Sequence, residues 1–130
     1  MSRYVLDASA VLALLQNESG ADELLHYSFG ASLSTVNLAE VYSKTADVGL
    51  SLEDLQWAIG RLQLNVIPFD EGHAAIVGSL REPTRKAGLS LGDRACLAAG
   101  VALQCPVVTA DSAWEALAID VEVIQFRMAA

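Results

Sequence analysis

Short apolar runs alternate along the chain with stretches whose apolar residues recur every three or four positions. Tyr4-Val5-Leu6 is a brief strand-like run, followed by a helical pattern over Ala10 to Leu15 and a second over Ala21 to Tyr27. Ala31 to Ser34 has the length of a short strand. Asn37 to Val48 sets Leu38, Val41, Tyr42 and Thr45 on one stripe, the spacing of an amphipathic helix. Ser51 can cap the next helix, with Asp54 three residues on; this helix runs to about Leu62 and bears Leu55, Ile59 and Leu62. Asn65 to Phe69 is a strand that ends near Pro68. Asp70 can cap a helix that Pro83 ends or kinks. After a loop from Gly88 to Gly92, Asp93 to Leu103 is a strongly apolar helix. Pro106 to Thr109 is a strand, Ser112 to Ala118 a helix, and Val121 to Ile124 a last strand.

Strands alternating with helices imply parallel pairing, and right-handed crossovers lay the helices on both faces of the sheet. The expected fold class is therefore α/β, a sandwich of helices about a parallel sheet. No repeat, linker or change of composition divides the 130 residues, so a single domain over 1–130 is expected.

Composition sharpens this picture in three ways. Hydrophobic residues make up 53% of the chain, enough for one packed core. No apolar run reaches the roughly 18–20 residues of a membrane span, and Asp7 interrupts the first long one, Val5 to Leu15. The opening residues also lack the pattern of a secretory leader, so a cytoplasmic protein without membrane contact is expected. Cys96 and Cys105 have neither a CxxC pairing nor a nearby histidine pair, which points to two buried free thiols rather than zinc ligands.

The net charge of -8 argues against simple electrostatic attraction to nucleic acid. It does not exclude a nuclease, because a divalent cation can invert the local charge of an acidic site. The nearest thing to a basic patch is Arg81, Arg85, Lys86 and Arg94, which equally suits a solvated helix end.

The acids carry the chemistry. Open α/β sheets bind ligands beyond the carboxyl ends of their strands. Asp7 directly follows its strand, and Asp111 follows Val107-Val108-Thr109 by one residue. Each could equally be a helix cap, Asp7 for the helix at Ala10 and Asp111 for that at Ser112. Asp93 shares a helix face with Leu97, Gly100 and Val101, where an uncompensated carboxylate is costly. It also closes Ser90-Leu91-Gly92-Asp93, a capping box, and a cap can orient a ligand. For Glu40 the pattern alone favours an ion pair with Lys44 one turn later.

Crowded carboxylates suit Mg²⁺ or Mn²⁺, which prefer oxygen ligands, and one or two such ions can drive phosphodiester cleavage. Mutual repulsion among the acids implies better metal loading as pH rises. Nucleophile-elbow and phosphate-loop motifs are lacking, and His26 and His73 sit in no nucleophile motif. Trp57 and Trp114 read as core or surface packing rather than a base-stacking platform.

Four segments together resemble the acidic motifs of the PIN domain: Val5-Leu6-Asp7-Ala8-Ser9, Asn37-Leu38-Ala39-Glu40-Val41, Leu89 to Ala98 with its Gly92-Asp93-Arg94, and Val107-Val108-Thr109-Ala110-Asp111. The variant is similar to the VapC toxins of bacterial type II toxin–antitoxin systems, over nearly the whole chain. The resemblance implies a three-layer α/β/α sandwich with a mostly parallel central sheet and Mg²⁺- or Mn²⁺-dependent endoribonuclease activity on RNA. It implies metal-binding and catalytic roles for Asp7, Glu40, Asp93 and Asp111, with Thr109 and Ser9 in support; only the resemblance brings Glu40 into the site. It further implies a homodimer held inactive by a VapB-like antitoxin. Three other readings compete. A receiver-like phosphoryl-accepting module lacks a lysine after a late strand, an aspartyl phosphatase acting through Asp7 lacks an acid at position 9, and the complete acid set argues against a non-catalytic PIN-like binding module.

Overall fold

The computed structural model describes residues 3–126. Five strands, β1 (Val5–Leu6), β2 (Ser32–Ser34), β3 (Asn65–Ile67), β4 (Val107–Thr109) and β5 (Val123–Gln125), form one sheet in the order β3-β2-β1-β4-β5. Every neighbouring pair is parallel, with Val5 opposite Ser32 and Val107, and Val108 opposite Ile124. The chain winds outward from β1 to β3 and then returns to the other side of β1. The order therefore reverses between β1 and β4, where a crevice opens at the strand ends.

Alternation along the strands sends successive side chains to opposite faces. Leu6, Leu33 and Val108 pack with helices α1 (Ala8–Gln16), α2 (Ala21–Ser28), α3 (Thr35–Asp47) and α4 (Leu52–Arg61). Val5, Val107 and the half-buried Val123 face the other way, onto α7 (Leu91–Leu103) and Trp114. Helix α5 (Glu71–Ser79) lies against α7 through Val77, Ala95 and Ala98. The result is the three-layer α/β/α sandwich with a parallel sheet that the alternating pattern requires. Gly100 brings α7 close to the sheet: a Cβ there would stand 2.6 Å from Val107 and 2.9 Å from Val121.

Several boundaries move for local reasons. Helix α1 starts at Ala8, two residues ahead of the apolar pattern, because Asp7 is its N-cap. Helix α3 springs directly from β2, with Ser34 both ending the strand and capping the helix. Helix α7 begins at Leu91 rather than Asp93, since Ser90 caps it. A break at Leu80 separates α5 from the short α6 (Arg81–Thr84), because the ring of Pro83 would collide with the carbonyl of Ser79 in a continuous helix. Residues Ser112–Ala116 form a 3₁₀ turn instead of a helix to Ala118. The expectation of two buried thiols holds for Cys96 and fails for Cys105, which is half-buried at the rim of β4.

Candidate active site

The acids reach one place by two routes. Parallel strands all carry their C-terminal ends to the same edge, which brings Asp7 after β1 and Asp111 after β4 together. A helix returning to a parallel sheet runs antiparallel to the strands, so the N-terminus of α7, with Asp93, lies at that edge as well. Helix α3 leaves the end of β2 and brings Asn37 and Glu40. A cavity of about 240 Å³ opens here, walled by the acids Asp7, Glu40, Asp93 and Asp111, with Ser9, Asn37, Lys44, Thr109 and Trp114 among the other lining residues.

Asp7 is buried and held by three donors. Its Oδ1 accepts from the Ser9 hydroxyl at 2.6 Å and the Ala10 N–H at 2.9 Å. Its Oδ2 accepts from the Thr109 hydroxyl at 2.5 Å, across 102 residues of sequence. Ser9 Oγ in turn accepts from the Ala110 N–H at 3.0 Å, and Thr109 Oγ1 from the Asp111 N–H at 3.1 Å. Burial pushes the Asp7 carboxyl above its ordinary value of 3.8; the three donors oppose that rise and the negative charge of Asp93 adds to it.

Asp93 is half-buried and forms the capping box in full: its Oδ2 accepts from the Ser90 N–H at 2.9 Å, while Ser90 Oγ accepts from the Asp93 N–H at 3.1 Å. Asp111 lies exposed at the rim, its Oδ1 accepting from the Ala113 N–H at 2.9 Å. For Asp7, Asp93 and Asp111, cap and cavity wall are thus the same side chain. The helix N-termini behind them supply partial positive charge that offsets some of the repulsion between the acids.

Glu40 departs from its sequence pattern. It makes no ion pair with Lys44; its Oε1 accepts from Asn37 Nδ2 at 2.7 Å. The same Nδ2 donates to the Gly92 carbonyl at 3.0 Å, tying α3 to the first turn of α7 beside Asp93. Gly92 has no room for a side chain, since an added Cβ would run into the Glu40 carboxylate, with Oε2 at 2.7 Å. Asn37 is buried, and its Oδ1 has no hydrogen-bond partner among the described residues. Sequence reasoning placed Asn37 and Gly92 within the motifs but gave neither a role in the site. The signal for Asn37 was its place three residues before Glu40 on one helix face; Gly92 read as the end of a loop, and only the start of α7 at Leu91 puts it inside a helix's first turn.

Other expectations can be placed. Trp114 is core packing that also walls the cavity, and Trp57 is surface packing, 66% exposed beneath the Arg61 guanidinium. Two of the four basic residues are engaged locally. Arg85 pairs with Glu82 at 3.2 Å, and Arg94 turns back to donate to the Val77 carbonyl at 3.3 Å. Cys96 lies beneath the acids: burial, then the charges of Asp7, Asp93 and Glu40, push its thiol well up, which marks it as a buried, inert group.

The PIN domain family model matches residues 4–120. The chain belongs to the PIN domain family. Solved structures with the same fold include a toxin–antitoxin complex from Klebsiella pneumoniae, at 17% identity and a TM-score of 0.76, covering 95% of this chain and 97% of that one. The VapBC2 complex from Rickettsia felis bound to a DNA fragment from its promoter matches at 18% identity and 0.73, covering 94% and 97%. FitAcB from Neisseria gonorrhoeae matches at 22% identity and 0.70, covering 95% and 97%. Comparison with curated proteins finds no match.

In this PIN domain, no three acid, histidine or cysteine groups among the described residues are gathered closely enough to hold a metal ion as they stand. Both oxygens of Asp7 and one of Asp93 accept from caps and hydroxyls, and Glu40 leans on Asn37. The donor set nevertheless fits an oxygen-preferring divalent ion. Four carboxylates wall one cavity, and the Asn37 amide oxygen there has no donor. Mg²⁺ commonly takes only one or two carboxylates and keeps several waters, so a complete protein cage is not required. No helix among the described residues is long and apolar enough to cross a membrane.

Proposed function

We propose that this PIN domain is a Mg²⁺- or Mn²⁺-dependent endoribonuclease, the VapC-type toxin of a type II toxin–antitoxin system, restrained by a VapB-like antitoxin and acting as a homodimer in the cytoplasm. The observation that carries the reading is the cavity walled by Asp7, Glu40, Asp93 and Asp111. Without a cation, four carboxylates repel a phosphodiester; with one bound, the same cavity attracts it. Asp7, Glu40, Asp93 and Asp111 would hold the ion, which would supply Lewis acidity toward water and the phosphoryl oxygens.

The chain's own residues do the positioning. Ser9, Thr109 and the Ala10 N–H fix both oxygens of Asp7, so its direction is set before any ligand arrives. Asn37 sets the reach of Glu40 and ties it to the helix that bears Asp93. Asp111 is exposed with one oxygen bonded to a backbone N–H, which leaves the other to accept a proton from water at the rim. The antitoxin assignment takes support from the neighbouring folds, which include toxin–antitoxin complexes.

The test is RNA cleavage by the purified chain with Mn²⁺, with and without EDTA, beside Asp93→Asn. Asp93→Asn keeps an acceptor for the Ser90 N–H, so melting stays near wild type while cleavage falls by about a thousandfold. A fully active Asp93→Asn variant overturns the assignment. Expression of wild type and Asp7→Asn, scored for growth arrest, checks the toxin role.

A further inference from the structure

A second hollow, of about 460 Å³, adjoins the acidic cavity and shares Glu40 and Lys44 with it. Its remaining wall joins Val36, Ala39 and Ser43 of α3 to Ser90, Leu91 and Gly92 at the start of α7, and most of the surface they present is apolar. Leu91 is 56% exposed although it stands next to the acid-bearing turn, and no neighbour among the described residues covers it. Lys44 is exposed and forms no ion pair among the described residues; Glu40, its expected partner, accepts from Asn37 instead. Of the described cations, Lys44 is the one on the wall of the acidic cavity. Lys44 therefore stands where the two hollows meet and is held in no ion pair among the described residues.

We propose that this hollow is a nucleotide subsite, resting on the nuclease reading above. It takes the base that adjoins the cleaved phosphate of a single-stranded RNA, with Lys44 Nζ on the phosphate between them. The volume falls in the range of about 300–1,000 Å³ typical of small-ligand sites. An acidic chain needs a local cation to hold a phosphate that the metal does not hold, and Lys44 is so placed. The apolar walls suit the face of an unstacked base, which a single strand offers and a duplex does not. Glu40, lying between the hollows, keeps the bound nucleotide and the acid cluster in register.

The experiment measures a fluorescein-labelled ten-nucleotide single-stranded RNA by anisotropy against Asp93→Asn protein in Mn²⁺, over a series of KCl concentrations. Added Lys44→Ala is expected to weaken binding about fivefold and to reduce the slope of log Kd against log [KCl] by about 0.7, the loss of one single-strand phosphate contact. Lys44→Arg keeps the slope. Leu91→Ser weakens binding about threefold with the slope unchanged, since it removes apolar contact and no charge. In the active protein the same changes appear in KM, with kcat within about twofold. If Lys44→Ala and Leu91→Ser leave Kd, slope and KM as in their parents while wild type still cleaves RNA, the subsite is wrong and the nuclease reading stands. The hollow then belongs to some other occupant, such as a protein partner. If wild type with Mn²⁺ cleaves no RNA, the nuclease reading fails and the subsite fails with it.

Discussion

The strand side and the helix side of the cavity hold their carboxylates in opposite ways. On the strand side, Asp7 is buried against the sheet and receives three donors, two from side chains and one from the backbone. Ser9 and Thr109 are themselves held by backbone N–H groups of the β4 end, so the network is closed. On the helix side, Glu40 and Asp93 hang from two helix ends joined by one amide, that of Asn37. Steric exclusion at Gly92 does the rest. A closed, buried network should respond to mutation in stability. An open clamp between two helices should respond in activity, because the helices fold without it while the carboxylates lose their aim.

The sharpest break in this comparison is Gly92→Ala. The atoms nearest the new Cβ all belong to the far end of Glu40, a flexible side chain, so the fold survives and Glu40 is driven from its place. Cleavage is expected to fall about a hundredfold with the melting midpoint little changed, measured by initial rates and thermal melts. A variant with normal rates would show that the position of Glu40 is immaterial.

Asn37→Ala against Thr109→Val comes next. Asn37→Ala releases Glu40 and the Gly92 carbonyl, and activity drops about 10- to 100-fold, as when the support of a metal ligand is removed. Thr109→Val leaves a buried carboxylate oxygen without its donor and costs about 1–3 kcal/mol of stability, read by urea unfolding. Should Asn37→Ala prove the more destabilising of the two, the division between clamp and network collapses.

The smallest expected effect is a pH dependence. Burial raises the Asp7 carboxyl, so the folded state holds that proton more tightly than the unfolded chain. Stability is then lost as pH climbs from the ordinary value of 3.8 through the raised folded value, and the full cost is present above both. Asp7→Asn removes the charge. In metal-free protein it should raise the melting midpoint by a few degrees at neutral pH. The gain should shrink as pH falls toward and below 3.8, where both forms are neutral. Melts of the two proteins across pH check this; a gain that does not vary with pH removes burial of charge as the cause.

Much of this was legible in the residues themselves. Alternating apolar runs and helical stripes demand a parallel sheet between two helical layers, because only that arrangement buries strands that are apolar on both faces, as Val5-Leu6 and Val107-Val108 are. Chain order then carries Asp7 and Asp111 to one edge, and the capping box at Ser90 fixes where α7 begins. Tertiary structure decided the rest. Glu40 and Lys44 stand one turn apart and read as a surface pair, yet the pair does not form, because α7 comes close enough for Asn37 to bridge from Glu40 to Gly92. That bridge spans 55 residues of sequence, and the Thr109 bond to Asp7 spans 102. Local periodicity carries information about a residue's own turn or strand. Which distant donor will face a given carboxylate depends on how closely two packed elements approach, here set by small residues such as Gly92 and Gly100 at the contacts.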